Sequence, residues 1–214
     1  MKVLTAESPA VRYLCERDER LSHLIAVMGQ VECLPPEESP FAFLVHEIAE
    51  QMLSVKAAER IFSRISSLCP DGVTHHSIAR ISFEQLRSCG VSARKASAIL
   101  SLADSVCSGE VDLTSLEAMS DHDVMANLTS LRGIGSWTAK MYLIFVLDRE
   151  DVLPFEDGAF LQSYRWLYET SDCSRRAVEA KCAPWKPHSS TAARFLYHAL
   201  DTGLCTRPVQ DVLS

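Results

Sequence analysis

Apolar residues recur along most of this chain with the three- to four-residue spacing of amphipathic helices. Ser82 and Ser92 stand where side chains commonly cap the start of a helix, and Gly29 stands where a helix commonly ends. No segment of any length alternates apolar and polar residues as a half-buried strand does, so the pattern predicts an all-α protein. The predicted helices cover residues 9–29, 41–66 with a break near 51–54, 82–89, 93–107, 120–130, 137–147 and 158–169, with a last helix that opens within 185–193.

The stretch that organises the chain, residues 131–157, begins with a glycine turn. Gly133 and Gly135 flank Ile134, which allows a backbone turn that side chains would forbid. Ser136 is positioned to cap the helix that follows. Backbone N–H groups at such a turn are available to an anion.

The rest of this stretch is a buried helix followed by a chain reversal. Between residues 137 and 147 only Lys140 is charged, so the helix should be packed on nearly every side. Pro154 biases the preceding residue to an extended conformation and turns the chain back. That return would bring Glu156 and Asp157 beside the glycine turn.

Composition excludes some classes of protein. Apolar residues make up 47% of the chain, as in a globular protein, and the longest apolar run, residues 141–147, is far shorter than a membrane span of about 20 residues. The first ten residues lack the apolar region of a signal peptide, so we expect a cytoplasmic protein without a membrane partner.

The net charge of −7 lies entirely within residues 1–130, because the remaining residues carry equal numbers of acidic and basic side chains. This balance predicts modest DNA affinity from few phosphate contacts.

The cysteines and histidines give no metal-binding motif. No two of the eight cysteines are closer than nine positions, whereas zinc ribbons and redox pairs need C-x-x-C spacing. The histidines show neither H-x-x-x-H nor H-E-x-x-H spacing. We therefore expect reduced cysteines and no metal, with His75 and His76 in a surface loop.

Four segments carry a resemblance to a known family, and one of them is G-V-S-A-R-K at residues 90–95. The pattern L-x-G-I-G-x-W-T-A from Leu131, then D-V-L-P and Asp157, resembles the helix-hairpin-helix glycosylases of base-excision repair, most of all the DNA-3-methyladenine glycosylase II branch. Residues 51–58 are similar to the family's Q-Q-L-S-V-K-A-A, with Met52 replacing the second glutamine. Residues 185–193 are similar to its W-x-P-x-R-S-x-A-A, with Ser189 replacing the arginine.

The resemblance implies an architecture and an activity. The architecture is two helical lobes with a helix-hairpin-helix motif at the DNA cleft between them. Residues 1–40 would join the C-terminal lobe, 41–130 would form the middle lobe, and 131–214 would hold the hairpin, the catalytic aspartate and the C-terminal helices. The activity is hydrolysis of the base–sugar bond of alkylated purines, such as 3-methyladenine, in double-stranded DNA by a monomer without a cofactor. A non-catalytic DNA-binding module and a helical protein-interaction domain are the alternatives.

Asp157 falls on the family's catalytic aspartate. Breaking an N-glycosidic bond creates an oxocarbenium-like sugar, whose charge a fixed carboxylate stabilises while it orients the attacking water. The residues alone leave two alternatives open: Asp157 as the cap of the helix from Gly158, and Glu156 as the acting carboxylate.

Four aromatic residues are expected to contribute to a base pocket. Trp137 occupies the position where bifunctional relatives carry a Schiff-base lysine, so the resemblance implies a monofunctional enzyme. Aromatic faces attract a cationic alkylated base, which makes Tyr164, Trp185 and His188 further candidates. Each also has an alternative reading as a core or packing residue.

The remaining site predictions concern the DNA backbone and the base stack. Phosphate contacts are expected at the turn and the start of its helix, with a structural monovalent cation at the hairpin as in relatives. Met52 lies in the segment that supplies the wedge filling the gap left by a flipped base, with ordinary helix packing as its alternative. The predicted phosphate-binding residues are Gly133, Ile134, Gly135, Ser136 and Thr138.

Overall fold

A computed structural model describes residues 2–33 and 39–213 of the chain, and nearly all of its regular structure is helical. The prediction of an all-α fold is confirmed. The helices are α1 (Pro9–Cys15), α2 (Glu19–Met28), α3 (Pro40–Glu50), α4 (Val55–Ser67), α5 (His75–Ile78), α6 (Phe83–Ser88), α7 (Ala93–Cys107), α8 (Asp121–Ser130), α9 (Ser136–Met141), α10 (Gly158–Tyr168), α11 (Arg175–Cys182), α12 (Ser189–Asp201) and α13 (Val209–Leu213).

Several predicted elements differ in detail. The helix predicted at 9–29 is two helices, because Asp18 takes an extended conformation and caps α2 by accepting from the N–H of Leu21. His75 and His76, predicted in a loop, begin α5 instead. Two short antiparallel strands, β1 (Lys2–Leu4) and β2 (Val31–Cys33), were not predicted, since three residues are too few to show alternation.

The chain divides into two units, of which the first comprises Met1–Pro35 and Asp148–Ser214. Its core gathers apolar side chains from α1, α2, α10 and α12. Asp18 lies within it, 8% exposed, and accepts hydrogen bonds from the Tyr168 hydroxyl at 2.5 Å and from Trp185 Nε1 at 2.9 Å. Because a buried carboxylate needs such donors, Asp18 ties together three segments that are distant in sequence.

The second unit comprises Pro36–Leu147. In it, α3 packs against α4, α7 and α9, and α8 packs against α9. The predicted boundary at residue 130 therefore differs from the observed one, because α9 and the segment after it pack on the middle helices. That segment, Tyr142–Val146, continues α9 as a π-helix with an N–H of Leu147 bonded to the Tyr142 carbonyl. Within the part of the chain that the structure describes, no helix has the length and apolar character to cross a membrane.

Candidate active site

The glycine turn of the second unit joins α8 to α9. Gly133 has φ +85°, and a Cβ placed on it would lie 2.4 Å from the Cβ of Ala98 on α7. Both the backbone conformation and the close approach to α7 therefore require glycine at this position. Gly135 has φ −101° and open space around it, so its lack of a side chain serves no packing purpose here.

The start of α9 differs from the prediction. The N-cap is Gly135 and Ser136 is the first helical residue, so Ser136 does not cap the helix. Gly135 and Ser136 are exposed, whereas Ile134 and Thr138 are buried. The hydroxyl of Thr138 also accepts from Gln51 Nε2 at 3.3 Å. The side chains of Ile134 and Thr138 are therefore closed to a DNA phosphate.

The loop between α3 and α4 presents Met52. Its side chain is 100% exposed and its φ is +61°, a left-handed conformation that is costly for a residue with a side chain. Leu53 beside it is 41% exposed. The alternative reading of Met52 as ordinary helix packing is wrong, because its side chain packs against nothing.

Two polar side chains anchor this loop, and the sequence analysis predicted a role for neither of them. Gln51 Nε2 donates to the Gly133 carbonyl at 2.8 Å, which connects the loop to the hairpin. Lys95 Nζ donates to the carbonyls of Ala49 at 2.9 Å and Gln51 at 2.6 Å, at the end of α3. Desolvation of this ammonium lowers the pKa of Lys95. Both residues lie in segments that resemble the family, which was the available signal.

Asp157 of the first unit is the N-cap of α10. Its Oδ1 accepts from the N–H of Phe160 at 2.7 Å, and its backbone N–H donates to the Pro154 carbonyl at 3.0 Å. The side chain is 8% exposed, while Glu156 is exposed. The capping alternative is therefore correct as geometry, and a carboxylate can cap a helix without losing its negative charge. Capping holds the carboxylate in one orientation.

The loop before Asp157 is held to the start of α12. Ser189 Oγ donates to Asp151 Oδ1 at 2.5 Å, and the Val152 N–H donates to Ser190 Oγ at 3.0 Å. Ser189 is 2% exposed. The serine at the family's arginine position thus serves an internal bond that positions the loop.

The predicted base-pocket residues fall into two groups. Trp185 and Tyr164 lie in the core of the first unit, at 0% and 3% exposure, and burial raises the pKa of Tyr164 to about 12. Because the Trp185 indole also donates to Asp18, the structure favours the core reading for both. Trp137 is half-buried. His188 is partly exposed, with Nδ1 3.6 Å from a Glu150 carboxylate oxygen.

Comparisons with known proteins show a family and several similar proteins. Residues 45–187 match the model of the HhH-GPD superfamily of base excision DNA repair proteins. DNA-3-methyladenine glycosylase 1 of Schizosaccharomyces pombe is 31% identical over 98% of this chain and 94% of its own. Among solved structures, the DNA-3-methyladenine glycosidase of Bacillus halodurans has a TM-score of 0.84 and 34% identity, covering 100% of this chain and 99% of that one.

A further similar structure contains DNA. The 3-methyladenine DNA glycosylase of S. pombe in complex with abasic DNA has a TM-score of 0.82 and 30% identity, covering 91% of this chain and 97% of that one. The family match spans well over half of the present chain and includes the glycine turn and Asp157. The chain belongs to the HhH-GPD superfamily of base excision DNA repair proteins.

Proposed function

We propose that this protein is a monofunctional DNA glycosylase of the DNA-3-methyladenine glycosylase II type, which hydrolyses the N-glycosidic bond of alkylated purines in double-stranded DNA. The observation that carries the proposal is Asp157, a largely buried carboxylate held at the start of α10 by its bond to the Phe160 N–H. It stands at the family's catalytic position. The names of the relatives, which refer to 3-methyladenine, support the substrate class.

Asp157 acts on charge that develops during the reaction. A purine alkylated on a ring nitrogen is cationic, and it takes the electrons of the N-glycosidic bond and leaves as a neutral base. The sugar left behind is oxocarbenium-like, and the fixed carboxylate stabilises it. Water then bonds to the anomeric carbon and gives up a proton, which yields an abasic sugar. The leaving base needs little help from an acid, since its charge is neutralised as it departs.

Trp137 supports the monofunctional assignment. An indole has no basic amine, so this position cannot form a Schiff base with the abasic sugar. The DNA strand should therefore remain intact after the base is released.

The assignment can be tested by incubating the protein with a panel of duplexes that each contain one alkylated purine. Duplexes with 3-methyladenine or 7-methylguanine should acquire strand breaks only after alkali, and borohydride should trap no covalent complex. A glycosylase that uses a Schiff-base lysine, assayed on its own lesion duplex, is the positive control for trapping. A borohydride-trapped adduct of the present protein would contradict the monofunctional assignment, and a panel with no cleaved duplex would contradict the substrate class.

We also propose that Met52 is the wedge that enters the base stack when a nucleotide is flipped. A methionine is long and adaptable enough to fill the gap, and this one is fully exposed on an anchored loop. The bonds from Gln51 and Lys95 limit the loop's freedom before DNA is bound. Such preorganisation reduces the entropy lost on binding.

Substituting Met52→Ala should lower single-turnover excision from a base-paired lesion by about 10-fold, since part of the cost of unstacking is no longer offset. The thermal midpoint should be nearly unchanged, because the side chain packs against nothing. Val27→Ala is the matched control, as Val27 is 49% exposed on α2 of the other unit. Equal excision by Met52→Ala, Val27→Ala and wild type would rule out the wedge.

The remaining parts of the proposal concern DNA binding and assembly. The exposed backbone at Gly135 and Ser136 would meet a DNA phosphate, since the first turn of a helix offers N–H groups and a positive dipole end. A monovalent cation at the hairpin and a monomeric enzyme stay predictions.

A further inference from the structure

One surface of the second unit gathers two histidines and a cysteine that the proposed reaction does not use. His75 and His76 begin α5, and Cys107 ends α7. One potential ligand atom from each lies within 4.8 Å of the others, and Cys107 Sγ is 3.8 Å from His76 Nδ1. Among the residues that the structure describes, no other group of three His, Cys, Asp or Glu side chains is arranged in this way.

The backbone that carries these side chains is fixed on both sides. Thr74 and Ser77 form a capping box at the start of α5, with the Ser77 N–H bonded to Thr74 Oγ1 at 3.1 Å. Ile78 is fully buried, and α5 packs directly against α7. The two histidine rings are 4.1 Å apart between centroids, and the His75 ring meets Phe41 edge-on at 5.9 Å. Folding of the second unit therefore brings the three side chains together without any ligand.

We infer that this cluster is a zinc site, with the Cys107 thiolate and the imidazoles of His75 and His76 as protein ligands and water in the fourth position. A thiolate with two imidazoles suits zinc and other borderline-soft metals and is a poor site for magnesium or calcium, which prefer oxygen. None of the three side chains is among the residues assigned to base excision.

The geometry is close to what zinc requires. Zn–S bonds of about 2.3 Å and Zn–N bonds of about 2.0–2.1 Å in a tetrahedron place ligand atoms about 3.3–3.6 Å apart. The distance of 3.8 Å between Cys107 Sγ and His76 Nδ1 is close to this range. Any separation near the upper bound of 4.8 Å must shorten, which side-chain rotation allows because His76 and Cys107 are exposed and His75 is half-buried. Exposure also supplies the water ligand.

Bound zinc would link the start of α5 to the end of α7 and would occupy the thiol of Cys107. A ligand that binds only the folded state stabilises it by mass action, so zinc should favour the folded second unit. The metal has no place in the proposed excision chemistry. Removing the site should therefore leave the rate of base release unchanged.

The test uses the full chain without a histidine tag, reduced, stripped of metal with a chelator and then freed of the chelator. Titration with Co²⁺, a spectroscopic substitute for zinc, should give the intense visible bands of a tetrahedral site and a thiolate-to-cobalt charge-transfer band, saturating at one equivalent. Added Zn²⁺ should displace the Co²⁺ and abolish both the visible bands and the charge-transfer band. Calorimetry with Zn²⁺ should give the same stoichiometry.

Two variants and one control assign the signal. Cys107→Ala should abolish the charge-transfer band, and His76→Ala should weaken zinc binding by at least about 10-fold. Cys15→Ala, which removes another cysteine at the last position of a helix, should leave the charge-transfer band and the zinc affinity unchanged. Circular dichroism and an unchanged excision rate verify that the variants are folded. No cobalt–thiolate band in the wild type, or the same band and affinity in Cys107→Ala, would overturn the zinc site.

Discussion

Replacing Asp157 with asparagine should lower single-turnover excision of 3-methyladenine or 7-methylguanine by at least about 100-fold, the scale of losing one electrostatic stabiliser. The amide keeps an oxygen that can accept from the Phe160 N–H, so α10 keeps its cap and the fold should survive. Only the negative charge is lost, and with it the stabilisation of the sugar cation. Quenched single-turnover kinetics, with base release read as alkali-labile breaks, measures the loss.

Glu156→Gln is the control for Asp157→Asn. It removes the same charge from the adjacent residue, which is exposed and caps no helix. We expect its excision rate to remain within a few-fold of wild type, and duplex binding by Asp157→Asn to persist. A folded, DNA-binding Asp157→Asn that excises at nearly the wild-type rate would show that Asp157 is not catalytic. Glu156 would then be the next candidate, and a non-catalytic DNA-binding module would again be an alternative for the chain.

Gly133→Ala should destabilise the protein severely. The added Cβ would lie 2.4 Å from the Cβ of Ala98, and the backbone at φ +85° is unfavourable for any residue with a side chain. The free energy of unfolding should fall by at least about 2 kcal/mol, which for a chain of this size lowers the thermal midpoint by roughly 4–8 °C. Thermal unfolding followed by circular dichroism measures the shift.

Gly135→Ala provides the comparison for Gly133→Ala, two residues away in the same turn. Gly135 has φ −101° and nothing within 4 Å of its added Cβ, so its thermal midpoint should stay close to that of wild type. Equal midpoints for the two variants would show that the contact between the hairpin and α7 is not as close as described. A loss of DNA affinity by stable Gly135→Ala would support a phosphate contact at this exposed backbone.

The parts of the fold that depend on local sequence were predictable. Serine caps at Ser82 and Ser92 are confirmed, as is the break between α3 and α4 at residues 51–54. The turn at Gly133 could be predicted because left-handed backbone conformations favour glycine. Asp157 could be predicted as a cap from its place before Gly158 and as a catalyst from the family resemblance.

The parts that depend on distant contacts were not predictable. Trp185 was predicted to line the base pocket, but its indole donates to Asp18, 167 positions away. The buried role of Ser189 likewise depends on Asp151, 38 positions away. Motif spacing also missed the cluster of His76 and Cys107, because 31 residues separate them and only the packing of α5 on α7 brings them together.

As the proposed glycosylase, the protein should hydrolyse the bond between an alkylated purine and its sugar. The most direct test incubates excess wild-type protein with a duplex containing one 7-methylguanine in water enriched in ¹⁸O, and identifies the products by mass spectrometry. We expect free 7-methylguanine in a single turnover, with one ¹⁸O on the abasic sugar and an unbroken strand. Release of a nucleoside or nucleotide, or no release while the lesion duplex is bound, would contradict it.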